Sequence, residues 1–183
     1  MELNINKDNE NFKSLTKTKL MIIKALVDLM HERDFSSITI TNLCEHAQVG
    51  RKTYYRHFES KFEVLITYLK FLMEDAILDL EKKDPQTLED LLTHYFYFWQ
   101  SHKSLILLLR QHQLCYLMIS VCENYFENRP GLKNDFIHKM PHSVSIFLFS
   151  GATRVVQKWI YDSMPKSASQ MAKELHDAME NLI

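Results

Sequence analysis

Glycine is nearly absent from this chain of 183 residues, which has Gly50, Gly131 and Gly151 alone. With only four prolines, turn-forming residues are scarce throughout, whereas Leu, Met, Lys, Glu and Ile are common. This balance favours an all-α fold and leaves no room for a glycine-rich phosphate-binding loop. The spacing of apolar residues predicts about nine helices, three before residue 59 and six after it.

The first predicted helix begins at Thr16 and runs to about Arg33. Its buried stripe recurs at helical spacing and consists of Leu20, Ile23, Val27 and Met30. A second, short helix is expected over 40–47, capped by Thr39, with a tight turn at 48–50. A third covers about 51–57, with Tyr54 and Phe58 facing inward. Two short helices joined by a tight turn and braced by another helix form a helix-turn-helix unit, whose second helix enters the DNA major groove.

Positive charge is concentrated at this second helix, although the whole chain carries a net charge of −1. Residues 49–61 contain four basic residues against Glu59 alone, a net charge of +3. Arg51 and Lys52 stand at the start of the helix, where arginine pairs well with guanine. Thr53 and Tyr55 combine a hydroxyl group with apolar surface, which suits a thymine methyl group. Further along, the predicted phosphate contacts are Arg56, His57 and Lys61.

The stretch TITNLCEHAQVGRKTYYRHFESKFEVL resembles the DNA-binding region of TetR-type transcriptional regulators. The matching positions are Thr39, Ala47, Val49, Thr53, Tyr55, His57, Phe58 and Lys61. The resemblance implies a DNA-binding domain over 1–59, of which 1–14 form a loose arm, and a helical dimerisation and ligand domain over 60–183. The DNA-binding set that it implies also includes Thr39 and Thr41. It further implies a homodimer that reads a near-palindromic operator and a small-molecule effector that changes DNA affinity.

Three positions depart from the TetR-type pattern. Gln48 stands where the turn usually has glycine, and a left-handed backbone there costs a non-glycine residue about 1 kcal/mol. Gly50 replaces a serine cap, and glycine still caps tolerably. Arg56 replaces an aromatic residue beside His57. These departures affect the geometry of the turn and leave the class of protein unchanged.

Aromatic and sulfur-containing side chains cluster on two helices of the C-terminal half. Their spacing fits either an ordinary hydrophobic core or a ligand cavity with a few polar tips. The candidate ligand-binding residues are His94, Tyr95, Phe98, Trp99, Tyr116, Met118 and Cys122. No cluster of arginines or acids accompanies them, which favours a neutral or weakly polar effector.

The last two predicted helices, near 143–163 and 167–183, are expected to pair with their symmetry mates in a four-helix dimer interface. The candidate interface residues recur at four-residue steps: Phe147, Gly151, Val155 and Trp159. Gly151 would let two backbones approach closely. Trp159 fits the core of a single chain equally well.

Features of common enzymes and metal proteins are missing from the sequence. It has no His-Glu-x-x-His motif and no Glu-x-x-His pair for a di-iron site. His138 and His142 have a ligand spacing, but Pro141 lies between them. We therefore expect no enzymatic activity, no metal and no cofactor.

Three sparse cysteines, a polar N-terminus and the lack of a long apolar run favour a cytoplasmic protein. The sequence predicts a DNA-binding transcriptional regulator, a repressor released from its operator by a ligand. The alternative is a helical interaction module, or a small-molecule-binding protein without operator binding. Salt-dependent DNA binding would distinguish the two.

Overall fold

The structure, a computed structural model, describes residues 16–128 and 139–181. Within these ranges it contains nine α-helices, one 3-10 turn and no strand, so the all-α prediction is confirmed. Three helices precede residue 59 and six follow it, as expected. The loose arm predicted over 1–14 and His138 lie outside the described residues. The helices are α1 Lys17–Glu32, α2 Ile40–Ala47, α3 Arg51–Tyr55, α4 Lys61–Lys83, α5 Leu88–Ser101, α6 Lys103–Gln111, α7 Tyr116–Asn128, α8 His142–Tyr161 and α9 Ala168–Glu180, and the 3-10 turn is Phe35–Ser37.

The chain forms two compact units, which divide between Asp75 and Ala76. This division falls inside α4, because that helix begins at Lys61 and ends at Lys83. The domain boundary inferred from the sequence, between residues 59 and 60, lies just before the first residue of α4, Lys61. No described helix is both long enough and apolar enough to span a membrane.

In the N-terminal unit, α1 forms the support for the two short helices that follow. The side chain of Thr16 accepts a hydrogen bond from the Lys19 amide at 3.3 Å and so caps the helix where the sequence predicted. The apolar stripe of α1 is buried against α2, with Ile23, Val27 and Met30 each at most 2% exposed. The predicted stripe is confirmed except at Leu20, which is only half-buried.

In the C-terminal unit, α5 packs against α9 and α8, and α8 also contacts α6 and α7. Proline favours the first turn of a helix, yet α5 does not begin at Pro85. The helix begins at Leu88, because the Thr87 side chain accepts a hydrogen bond from the Asp90 amide at 3.1 Å and caps it two residues later. At the other end of the unit, Ser167 and Gln170 form a reciprocal cap that begins α9.

Candidate nucleic-acid interface

The α2–α3 turn is built around a left-handed residue. Gln48 adopts φ 55° and ψ 42°, so the expectation of a left-handed backbone at a non-glycine residue is confirmed. Its amide donates to the Glu45 carbonyl at 3.1 Å, and the Val49 amide donates to the Cys44 carbonyl at 3.0 Å. These two bonds satisfy carbonyls at the end of α2 and reverse the chain towards α3.

The start of α2 is held by a reciprocal cap. The Asn42 amide donates to the Thr39 hydroxyl at 3.1 Å, and the Thr39 amide donates to the Asn42 side-chain oxygen at 3.2 Å. Both Thr39 and Thr41 are exposed beside this cap. The predicted cap is therefore confirmed, and the Thr39 hydroxyl already has an intramolecular partner.

Two aromatic residues anchor α3 to the N-terminal unit. Tyr54 and Phe58 are at most 2% exposed, as the sequence predicted. The hydroxyl of Tyr54 has no hydrogen-bond partner, and burial raises the pKa of this phenol well above its usual range. Gly50 precedes α3 in an ordinary extended conformation, with φ −70°, and supplies no side-chain cap.

The opposite side of α3, together with the two residues that follow the helix, presents most of its basic and hydroxyl-bearing side chains to solvent. Four residues are exposed: Arg51, Lys52, Tyr55 and Arg56. Thr53 and His57 are half-exposed beside them. The Arg51 guanidinium lies 5.9 Å from the centre of the Tyr55 ring, so these two side chains stand on the same face, one turn apart. This face combines positive charge with hydrogen-bond donors, which suits contact with phosphates and base edges.

Lys61 differs from the other basic residues of this region because its side chain binds backbone carbonyls of its own chain. Its ammonium group donates to the backbone carbonyls of Phe35, Ser36 and Ile38 at 2.5, 3.1 and 2.7 Å. An ammonium group has three donors, and all three are used here. The phosphate contact expected at Lys61 therefore competes with three intramolecular hydrogen bonds.

The residues predicted to bind a ligand occupy different environments. Tyr95, Trp99, Met118 and Cys122 are buried in the C-terminal unit, each at most 2% exposed. His94 and Phe98 are half-buried, and the Phe98 ring stacks on His102 with centroids 4.4 Å apart. By contrast, Tyr116 is 56% exposed and does not join the buried group.

Sequence reasoning missed two polar residues of the same core, Thr153 and Gln157, which are fully buried on α8. The Thr153 hydroxyl lies 2.5 Å from the Tyr95 hydroxyl, and Gln157 donates to the Cys115 carbonyl at 3.2 Å. Their four-residue spacing within an apolar helix is a signal that both face inward. The indole side chain of Trp99 is also buried, next to Tyr95, with ring centroids 6.3 Å apart.

The four predicted dimer residues do not share one environment. Phe147 is 72% exposed, Gly151 is exposed with open space around it, and Val155 is half-buried. Trp159 is 2% exposed, and its indole N–H donates to the Lys166 carbonyl at 2.9 Å. It packs against Phe96, with ring centroids 5.4 Å apart, and so belongs to the core of its own chain.

Among the described residues, one set of side chains lies close enough together to share a cation. It comprises His176, Asp177 and Glu180, whose ligand atoms lie within 4.8 Å of one another. These side chains pair with one another on the surface of α9, an arrangement common without a metal.

Residues 22–67 match the sequence model of the bacterial regulatory proteins of the tetR family. A curated relative, the HTH-type dhaKLM operon transcriptional activator DhaS of Lactococcus lactis, is 27% identical over 121 residues, which are 64% of this chain. The match spans only 57% of that relative's length.

Two solved structures show the fold. Lin0861 from Listeria innocua superposes with a TM-score of 0.73 at 20% identity, over 98% of this chain and 97% of its own. The TetR family repressor AlkX of a Dietzia species superposes with a TM-score of 0.50 at 19% identity, over 88% of this chain and 92% of its own. The matched family segment contains α2, the left-handed turn, α3 and the first turns of α4.

Proposed function

We propose that this chain, a TetR-type regulator, binds one specific double-stranded DNA sequence through α3 and thereby controls transcription. The observation that carries the proposal is the two-sided character of α3. Tyr54 and Phe58 are buried, whereas Arg51, Lys52 and Arg56 are exposed on a scaffold held by the cap of α2. A helix of this kind after a tight turn is the element that enters the major groove.

Separate roles follow for the exposed residues. Arg51, at the first turn of α3, pairs with a guanine, and Thr53 and Tyr55 meet thymine methyl groups or base edges. Lys52, Arg56 and His57 contact phosphates. Thr41 and the Thr39 backbone reach phosphates from the start of α2. Because Lys61 is engaged by carbonyls, we leave it out of this set.

The chain acts as a homodimer that reads two half-sites of a near-palindromic operator. Support comes from α8, where a run of exposed apolar surface lies on the described part of the C-terminal unit. Val144 is 42% exposed and Phe147 is 72% exposed, and one turn further Gly151 has no atom within 4 Å of an added Cβ. A second copy packed on this face would remove the apolar surface from water. Trp159 is not part of the proposed interface.

A neutral or weakly polar effector binds in the C-terminal unit and releases the protein from its operator, in the cytoplasm. The core around Tyr95, Trp99 and Cys122 is apolar but contains the hydroxyl groups of Tyr95 and Thr153 and the indole N–H of Trp99. Apolar surroundings with a few polar groups are typical of small-molecule sites. Met118 lines the same core, His94 and Phe98 lie at its margin, and Tyr116 is outside it.

The sign of regulation depends on where the operator lies relative to a promoter. We propose that this chain represses transcription, whereas its relative DhaS of Lactococcus lactis is a transcriptional activator. A transcription assay with the selected operator placed upstream of a promoter, or overlapping it, separates the two. If the transcript level rises when the protein is added, the protein is an activator and the proposal of repression is wrong.

Selection of bound DNA from a random pool tests the proposed function. A regulator enriches one sequence motif, with two related halves if it binds as a dimer. Its affinity for that motif falls steeply with salt. A helical interaction module, the competing function, enriches no motif.

A further inference from the structure

We propose that Lys61 is a positioning residue for DNA binding, which holds the segment before α2 in place and does not contact DNA. The inference rests on the proposed function. Lys61 is the first residue of α4, whereas its three acceptors belong to Phe35, Ser36 and Ile38, 23 to 26 residues earlier. One side chain therefore ties the start of α4 to the segment that joins α1 to α2.

Two aromatic contacts strengthen this attachment. The Phe35 side chain is 5% exposed, and the Lys61 ammonium lies 4.7 Å from the centre of its ring. The ring of Phe62, the next residue of α4, meets Phe35 edge-on with centroids 4.8 Å apart. The first turn of α4 therefore holds both the backbone and the aromatic side chain of this segment.

The segment determines where α2 begins. Ile38, whose carbonyl accepts from Lys61, directly precedes Thr39, the residue that caps α2. Nine residues after this cap, Gln48 turns the chain into α3. A displacement of the segment would therefore move α2 and, through the capped turn, the DNA-facing side of α3. Small displacements of a binding constellation are costly, because its donors must meet fixed partners.

The chemistry of the attachment favours lysine specifically. A compact ammonium group can donate in three directions to carbonyls that surround it, whereas a guanidinium donates within a plane. Burial lowers the pKa of Lys61, while the three carbonyls favour its charged form. Arginine at this position would keep the charge but not the geometry.

Operator affinity measured against salt concentration separates positioning from a phosphate contact. The test uses the variants Lys61→Met and Lys61→Arg. Lys52→Met is the control, because Lys52 is an exposed lysine of α3. All affinities are measured well below the unfolding temperature of each variant. Positioning predicts that Lys61→Met weakens operator binding about tenfold with an unchanged salt slope, and that Lys61→Arg does not restore the affinity. Lys52→Met should reduce the slope by about 0.9, as expected for one lost phosphate contact.

Several outcomes would overturn the positioning role. A reduced salt slope in Lys61→Met, with recovery in Lys61→Arg, would assign Lys61 to a phosphate. A lower melting temperature with unchanged operator affinity would leave Lys61 a stabilising residue only. Circular dichroism identifies a Lys61 variant that fails to fold. In that case Phe62→Ala tests the same attachment, because it removes the aromatic contact with Phe35. Unchanged operator affinity in Phe62→Ala would overturn the positioning role. If the wild-type chain selects no DNA, the proposed function itself fails and the positioning role fails with it.

Discussion

The hydroxyl of Tyr95 in α5 lies 2.5 Å from the hydroxyl of Thr153 in α8, and both side chains are buried. The Thr153 hydroxyl donates in turn to the Phe149 carbonyl at 2.7 Å. Tyr95 must therefore be the donor in the first bond, because the single Thr153 proton is used in the second. These two hydrogen bonds link α5 to α8 within a largely apolar core.

Tyr95→Phe should lower the free energy of unfolding by about 1–2 kcal/mol, because Thr153 loses a donor in a buried site. Chemical denaturation followed by circular dichroism measures the loss. Tyr97→Phe is the matched control, since Tyr97 is 51% exposed on the same helix and should change stability little. Equal stability of the two variants would contradict a stabilising role of these hydrogen bonds.

Arg51→Ala should weaken operator binding by about 1–3 kcal/mol and relax the preference at one base pair. Arg56→Ala should instead weaken binding to all sequences alike and reduce the salt slope by about 0.9. Affinities for the selected operator and for single-base variants distinguish the two. If Arg51→Ala keeps full sequence preference, α3 is not placed in the groove as proposed.

Alkaline titration should destabilise the protein through Tyr68. Burial raises the pKa of Tyr68 from 10.0 to about 12. The unfolded chain therefore loses this proton near pH 10 while the folded chain keeps it, so stability falls between pH 10 and 12. The shift corresponds to about 2–3 kcal/mol at pH 12. Tyr68→Phe should remove this part of the pH dependence, and parallel curves for the two proteins would disprove it.

Phe147→Arg and Gly151→Arg should both produce monomers that retain their helices. A Cβ added at Gly151 meets no atom within 4 Å in the single chain, so we expect arginine there to leave folding intact while it excludes a close-packed partner. Light scattering with circular dichroism provides the measurement. The control is Leu107→Arg, an exposed apolar residue of α6 at 45% exposure. If both α8 variants remain dimeric, the dimer interface does not lie on this face of α8.

Local features were predictable from the sequence because they depend on neighbouring residues. The helix start at Thr16, the cap at Thr39 and the left-handed turn at Gln48 each involve side chains or amides within a few positions. The inward placement of Tyr54 and Phe58 follows from helical spacing alone. These features define most of the candidate interface.

Features that depend on distant partners were not predictable in the same way. Helical spacing cannot tell whether a lysine points to solvent or to carbonyls more than twenty residues upstream, as Lys61 does. Nor does it give the direction of Tyr116, which the structure leaves 56% exposed. At the start of α5, a cap by Thr87 competes with the preference of proline for the first turn, and the cap determines the boundary.

The continuity of α4 across the division at Asp75 and Ala76 has a consequence for protein engineering. A chimaera that joins this N-terminal unit to another regulator's C-terminal unit at this division has its junction inside a helix. A junction inside a helix has no flexible linker to compensate for a change in length. Each inserted or deleted residue turns the helix that follows by about 100° and shifts it by about 1.5 Å. Functional chimaeras should therefore be restricted to junctions that preserve the helical phase, so that insertions of seven residues are tolerated better than insertions of five.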